Sequence, residues 1–256
     1  MLRIGISGCN GHMGRVVEDI CRSAPDIEIA VGFDILGSSD RDFRVCTSPA
    51  EFDGQVDVVI DFSSPAALQG LLEFGAARKV PLVLATTGYS QEQLTAIDEA
   101  AKLVPIFRSG NMSLGINVLL ELVRRAASIL GSDYDVEIVE RHHHRKVDAP
   151  SGTALMIADA AASALPYRPQ YVYERQSVRR PREPHEIGIS SVRGGTIVGD
   201  HEIIFAGRDE VIELHHSAQS REVFASGAVK AARFLAGVER PGLYSMADLV
   251  AAAGLD

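Results

Sequence analysis

The chain has 256 residues, 46% of them hydrophobic and 23% charged, the make-up of a folded protein with room for one large core or two modest ones. A formal net charge of -9 excludes a general nucleic-acid binder, which needs a basic footprint, but not an anionic ligand held by local charge. Cys9, Cys21 and Cys46 form no CxxC pair and read as reduced thiols. The opening MLRIGISGCNGHMG is no signal peptide, and no apolar run approaches the roughly 18 residues of a membrane span, so a cytoplasmic chain with no membrane partner is expected.

In chain order, Leu2–Ser7 is a short branched apolar run and reads as a buried strand ending at Gly8. Helical spacing follows over Gly11–Ser23, with Met13, Val16, Val17 and Ile20 on one side. Ile27–Phe33 and Asp57–Phe62 are further strands. Ser63, Ser64 and Pro65 then make a helix start, with the helix expected to run to Arg78. Pro81–Thr86 reads as strand, Gln91–Lys102 as helix and Val104–Phe107 as strand. This alternation predicts an α/β, Rossmann-like parallel sheet with helices on both faces. The pattern changes after a long amphipathic helix, Ser113–Leu130. Four runs of strand character follow, Tyr134–His144, Ile187–Arg193, Thr196–Ala206 and Glu210–Gln219, broken by one helix at Gly152–Leu165. They suggest an α+β region with an open mixed sheet. Pro166–Glu186, rich in proline and arginine, reads as a long surface loop. Arg221–Gly237 and Ser245–Ala253 return to helix. Two domains are expected, 1–112 with 221–256 and 113–220.

Gly8-Cys9-Asn10-Gly11-His12-Met13-Gly14 lies between an expected strand and helix. Glycine permits the tight turn and lets backbone N–H groups approach a pyrophosphate, to which the helix N-terminus adds partial positive charge. The spacing is GxxGxxG, not GxGxxG, and glycines also end strands for purely geometric reasons. Asp34, 20 positions after Gly14 at the end of the second strand, suits the adenosine ribose hydroxyls and would repel a 2′-phosphate. Ile35 offers no compensating charge, so NADH is expected to be preferred over NADPH. Arg41 and Arg44 are the residues to examine if NADPH does as well. Ala85-Thr86-Thr87-Gly88 and Ser109-Gly110-Asn111-Met112 stand at strand ends, where small residues let a nicotinamide ring lie against backbone. Ordinary turn chemistry accounts for them equally.

The stretch Glu140–Ala154, ERHHHRKVDAPSGTA, carries the densest chemistry. Strand alternation places His142 and His144 on one face and His143 on the other, with Lys146 sharing the parity of His142 for as long as the strand lasts. Pro150 favours extended backbone before it. Ser151 is a good N-cap, and Gly152 and Thr153 open a helix whose first N–H groups suit a carboxylate. Histidine and lysine nearby supply charge and protons. Three adjacent histidines also suit a metal or a solvated sheet face, but alternation splits them and no Asp, Glu or Cys partner is spaced for a closed site.

The run closely resembles the signature E-x-H-H-x-x-K-x-D-A-P-S-G-T-A of the 4-hydroxy-tetrahydrodipicolinate reductase family. The resemblance extends to the Gly8–Gly14 turn, Thr86-Thr87-Gly88, the 111–117 segment NMSLGIN and the 193–201 segment RGGTIVGDH. It implies NAD(P)H-dependent reduction of 4-hydroxy-tetrahydrodipicolinate, a small dicarboxylate, to tetrahydrodipicolinate with loss of water, in lysine and diaminopimelate biosynthesis. By that resemblance His142 is the catalytic proton donor and acceptor and Lys146 the catalytic proton donor. His143, Gly152 and Thr153, beside Ser151, contact substrate. Gly8, Cys9, Asn10, Gly11, His12, Met13, Asp34, Ala85, Thr86, Thr87, Ser109, Gly110, Asn111 and Met112 line the cofactor. The family fold implies a dinucleotide-binding domain completed by C-terminal helix, a substrate and oligomerisation domain, a homotetramer and no metal. His12 stands where a cation is frequent and Ile35 where some relatives carry arginine, both pointing away from strong NADPH use.

Overall fold

Branched apolar side chains make Leu2–Ser7 a strand, β1, whose last four residues are buried. The computed structural model describes residues 1–37 and 41–254. After β1 come α1 (His12–Arg22), β2 (Ile27–Phe33), β3 (Val45–Cys46), β4 (Val58–Asp61), α2 (Leu68–Arg78), β5 (Leu82–Leu84), α3 (Gln91–Ala101) and β6 (Pro105–Arg108). The chain continues through α4 (Leu114–Leu130), β7 (Asp135–His142), α5 (Gly152–Ala164), β8 (Gln170–Val172), β9 (Glu186–Arg193), β10 (Gly199–Ala206) and β11 (Val211–Ala218). It closes with α6 (Glu222–Ala236), β12 (Gly242–Tyr244) and α7 (Met246–Ala252). Contacts divide these into two units, Met1–Leu114 with Glu222–Asp256, and Gly115–Arg221. The Leu114/Gly115 and Arg221/Glu222 divisions lie beside the expected changes of pattern.

The first unit holds a seven-stranded parallel sheet, ordered β12-β6-β5-β4-β1-β2-β3. Parallel strands buried on both faces read as continuous apolar runs, as β4 does, and helices cover each face. On one face Ile4, Ile6, Val58 and Ile60 pack with Val17 and Cys21 of α1 and with Ala228, Ala232 and Leu235 of α6. On the other, Val31, Val59 and Ile106 pack with Leu68 and Leu71 of α2 and Ile97 of α3. Burying each such Leu or Ile contributes roughly 1.5–3 kcal/mol. The helix expected from Ser64 begins later. Pro65–Ala67 forms a 3-10 turn, and α2 starts at Leu68. The short edge strands β3 and β12 were not expected; each has too few residues to show a period.

The second unit is a five-stranded mixed sheet, β11-β10-β7-β9-β8. β10 runs antiparallel to β7 and β11, while β7 and β9 are parallel. Val136, Ile138, Ile187, Ile189, Ile203 and Phe205 face a core shared with α4 and α5. The expected loop over 166–186 is only partly that. It contains β8, parallel to β9, and its arginines are anchored. Arg182 donates to Asp135 and Glu137, and Arg175 to Glu137 and the buried Glu186. The strand expected to start at Thr196 starts at Gly199. β7 stops at His142, so the parity proposed for His144 and Lys146 does not hold: Lys146 N–H donates to the His143 carbonyl in a turn.

Candidate active site

Gly8 ends β1 with a φ of +76°, and a Cβ there would lie 2.7 Å from the Phe62 carbonyl oxygen. A Cβ on Gly14 would run into the Gly8 carbonyl. The turn therefore passes backbone against backbone: the Gly8 and Gly11 N–H groups bond to the Phe33 and Gly8 carbonyls, and the first N–H groups of α1 remain for a ligand. That helix has Gly11 at its N-cap, no side-chain cap and no acidic residue in its first turn, so no group of α1 itself competes with an anion there. Beside it lies a cleft of about 520 Å³ lined by Gly8, Asn10, Gly11, Asp34, Ile35, Leu36, Thr47, Pro49, Phe62, Ser63, Ser64 and Leu71, among others. A phosphate-accepting end and an apolar flank fit a dinucleotide.

Asp34 accepts from the backbone N–H groups of Asn10 and Leu36, which fixes it at the rim. Arg41 pairs with Glu18 of α1 and donates to the Cys9 carbonyl and Asn10 Oδ1. Arg44 is engaged by Asp53 and the Glu51 carbonyl. Of the expected cofactor residues, Gly8, Asn10, Gly11 and Asp34 line this cleft, and His12 is exposed at the head of α1. Cys9 and Met112 bury their side chains in the core and Met13 packs against it, so Cys9 and Met112 can offer only backbone. Ala85, Thr86 and Thr87 follow β5; Ser109, Gly110 and Asn111 follow β6. Those strands are one and two places along the sheet from β4, and these residues lie outside the cleft lining. The Phe62–Ser64 turn was missed. Asp61, buried at the end of β4, accepts from Ser63 N–H and from Tyr89 Oη and so shapes that turn. The signal was an Asp two residues before a Ser at a strand end, an Asx turn.

In the second unit β7 alternates buried and part-buried residues, so Glu140 and His142 share its inner face. Glu140 is wholly buried. Its Oε2 lies 2.6 Å from His142 Nδ1 and 2.7 Å from Arg193 Nη1. Its Oε1 accepts from Arg193 Nη2 at 2.7 Å and Ser151 N–H at 3.1 Å. Burial alone would raise the carboxyl pKa, but hydrogen bonds from Arg193, His142 and Ser191 outweigh it and bring it down to about 2. Ser151 caps α5, its hydroxyl accepting from Ala154 N–H and standing 3.1 Å from His201 Nε2. Burial, reinforced by His142, lowers His201 to about 4, so its ring is neutral near pH 7. The His142 and His201 rings meet edge to face at 5.2 Å.

Lys146 Nζ lies 2.8 Å from Asp148 Oδ1, so Asp148 engages the lysine. Arg193 donates to the Asp148 carbonyl, and Gly194 N–H to the His142 carbonyl. The Ala149–Pro150 bond is cis. His143 leaves the inner face and meets Arg221 at 3.3 Å; burial, then Arg221 and Arg145, hold its pKa below the usual value. His142, Lys146, Ser151, Gly152 and Thr153 thus lie along one braced stretch, β7 end to α5 start. Glu140, Arg193 and His201 were quoted in the sequence without a role. Glu140 shares the parity of His142, and Arg193 pairs with His142 in the β7–β9 register.

A glycine-turn dinucleotide cleft on a doubly wound sheet, joined in one chain to a mixed-sheet unit with a histidine–lysine helix tip, defines a pyridine-nucleotide-dependent oxidoreductase. Residues 2–112 match the family model described as dihydrodipicolinate reductase, N-terminus, and residues 115–250 that of its C-terminus. The chain is 54% identical to the 4-hydroxy-tetrahydrodipicolinate reductase of Caldanaerobacter subterraneus subsp. tengcongensis, over 98% of both chains. It is 48% identical to that of Clostridium tetani, over 96% of both. Its fold is similar to a dipicolinate-bound dihydrodipicolinate reductase from Paenisporosarcina sp. TG-14, with a TM-score of 0.81, 24% identity and coverage of 96% and 97%. The chain belongs to the dihydrodipicolinate reductase family and catalyses the reductive step of lysine and diaminopimelate biosynthesis for which these relatives are named.

Proposed function

We propose that the chain reduces 4-hydroxy-2,3,4,5-tetrahydrodipicolinate with NADH in preference to NADPH, using His142 and Lys146 for proton transfer. The observation that carries this reading is the braced run from His142 to the α5 N-terminus, which sets a histidine, a lysine and a helix tip along one short stretch. When bound, the nicotinamide supplies a hydride. Residues 1–112 and 221–256 serve the cofactor: the Gly8–Gly14 backbone faces the pyrophosphate and Asp34 the ribose, with Ala85–Thr87 and Ser109–Met112 toward the nicotinamide end. Residues 113–220 serve the substrate and assembly. One carboxylate of the doubly anionic ring meets the Ser151–Gly152–Thr153 helix tip, where backbone N–H groups and the helix dipole favour negative charge. Lys146 adds positive charge and His143 a polar contact.

Dehydration removes one proton from the ring and places one on the departing hydroxyl; reduction then requires one further proton. His142 exchanges the first two and Lys146 holds charge and delivers the last. The reading assigns no metal. The NADH preference is supported by Asp34 at the rim and by Arg41 and Arg44 being engaged elsewhere. The reading includes a cytoplasmic homotetramer; assembly is supported by the outer face of the mixed sheet, where Val192 and Val211 are exposed. Among the described residues no helix is long and apolar enough to cross a membrane.

The test is an assay that generates the unstable substrate in place, run with each nucleotide. His142→Gln and Lys146→Ala are expected to lower turnover by about 10²–10⁴-fold while NADH binding stays near normal. Near-normal turnover in both variants refutes the assignment.

A further inference from the structure

The Glu140 carboxylate joins three parts of the candidate site. It receives His142 of β7, the backbone N–H of Ser151 at the tip of α5, and both terminal nitrogens of Arg193 at the end of β9. Arg193 in turn holds the carbonyl of Asp148, the partner of Lys146. Guanidinium and backbone N–H groups can only donate, and an ionised carboxylate can only accept. His142 Nδ1 must therefore carry a proton. The neutral ring is the Nδ1–H tautomer, and its exchangeable site is Nε2. That nitrogen faces Gly199 on β10, where an added Cβ would come within 3.0 Å; glycine leaves the space open.

We propose that Glu140, clamped by Arg193, is a positioning residue that confines proton exchange by His142 to its Nε2 atom and ties that ring to the substrate-binding helix tip. This rests on the reading of His142 as the proton-transfer group. Other charged and titratable groups surround the ring: His201 on β10 with His216 beside it on β11, and His143, Lys146 and Asp148 in the following turn. Among the hydrogen bonds these make, Glu140 is the partner of His142 Nδ1.

Glu140→Gln tests this through the geometry of an amide. With its oxygen in the Oε1 position, Gln opposes one donor of Arg193 and turns its NH2 toward Nδ1. In the reverse orientation the NH2 opposes two donors, Ser151 N–H and Arg193 Nη2. The Ser191 hydroxyl can turn to donate or accept at either end, so the first orientation has fewer clashes, and it converts His142 to the Nε2–H tautomer. The readout is long-range ¹H–¹⁵N correlation of histidine-labelled full-length protein, with His142 assigned by its loss in His142→Gln. The unsubstituted protein is expected to show Nδ1–H and Glu140→Gln to show Nε2–H. Turnover in Glu140→Gln should fall by roughly 10- to 100-fold or more with KM for NADH within about twofold, the pattern of a misdirected imidazole. An Nε2–H ring in the unsubstituted protein overturns the inference without any variant. So does Glu140→Gln with its tautomer unchanged, or with turnover within about threefold of the parent, below the range just given. Turnover lost in His142→Gln but kept in Glu140→Gln removes this inference alone. Turnover kept in His142→Gln removes the reading of His142, and the inference falls with it.

Discussion

Arg41 shows how one side chain is committed by its neighbours. Its guanidinium lies over Phe43, pairs with Glu18 and donates to the glycine turn, so it is almost wholly buried. A 2′-phosphate beside Asp34 would need such a cation, and Glu18 holds this one. Glu18→Gln should therefore raise kcat/KM for NADPH relative to NADH, by roughly tenfold if one charge-assisted hydrogen bond is gained. Initial rates with both nucleotides measure the ratio; an unchanged ratio shows that Arg41 has no part in discrimination. Asp34 was legible from its spacing after Gly14. The Glu18–Arg41 pair was not, because its partners are brought together only by the fold.

At the scale of elements, the buried polar cluster between β7, β10 and α5 makes stability depend on pH with a definite sign. His201 has a folded pKa of about 4 against 6.5 unfolded, so the unfolded chain binds more protons between those values and stability falls as pH drops through that window. Glu140, at about 2 against 4.5, extends the loss below pH 4.5. Its full contribution is present above pH 4.5 and gone below about pH 2. Melting temperature followed from pH 7 downward should thus fall in two overlapping stages, and His201→Gln should flatten the upper one. A melting curve that rises between pH 6.5 and 4 contradicts this. Most elements near this cluster were legible: β7 and β9 in their apolar alternation and α5 in its Ser151 cap. Periodicity misled where strand gave way to turn, because His143, His144 and Lys146 continue no ladder once Gly194 and Gly195 bind back to the chain. The 166–186 segment looked like solvent-facing loop because its arginines are polar; their partners Glu137, Asp135 and Glu186 lie up to 47 residues away along the chain.

In the molecule as a whole, the unit begun by β1 is finished by α6, β12 and α7. Ala225, Ala228, Ala231, Ala232 and Leu235 of α6 fill one side of its parallel sheet, and β12 pairs with β6 at its edge. A chain stopped after Arg221 should lose NADH binding and aggregate, since Ile4, Ile6, Val58 and Ile60 would lack their cover. Soluble material that still quenches with NADH would count against that. The order of synthesis acquires a meaning here. A ribosome releases the strands of the first unit early but withholds the helix that seals them until α6 is made, while residues 115–221 emerge complete in between. The segment that must wait longest for its partner is therefore the amino-terminal one, and shielding it during that interval falls to chaperones or to speed.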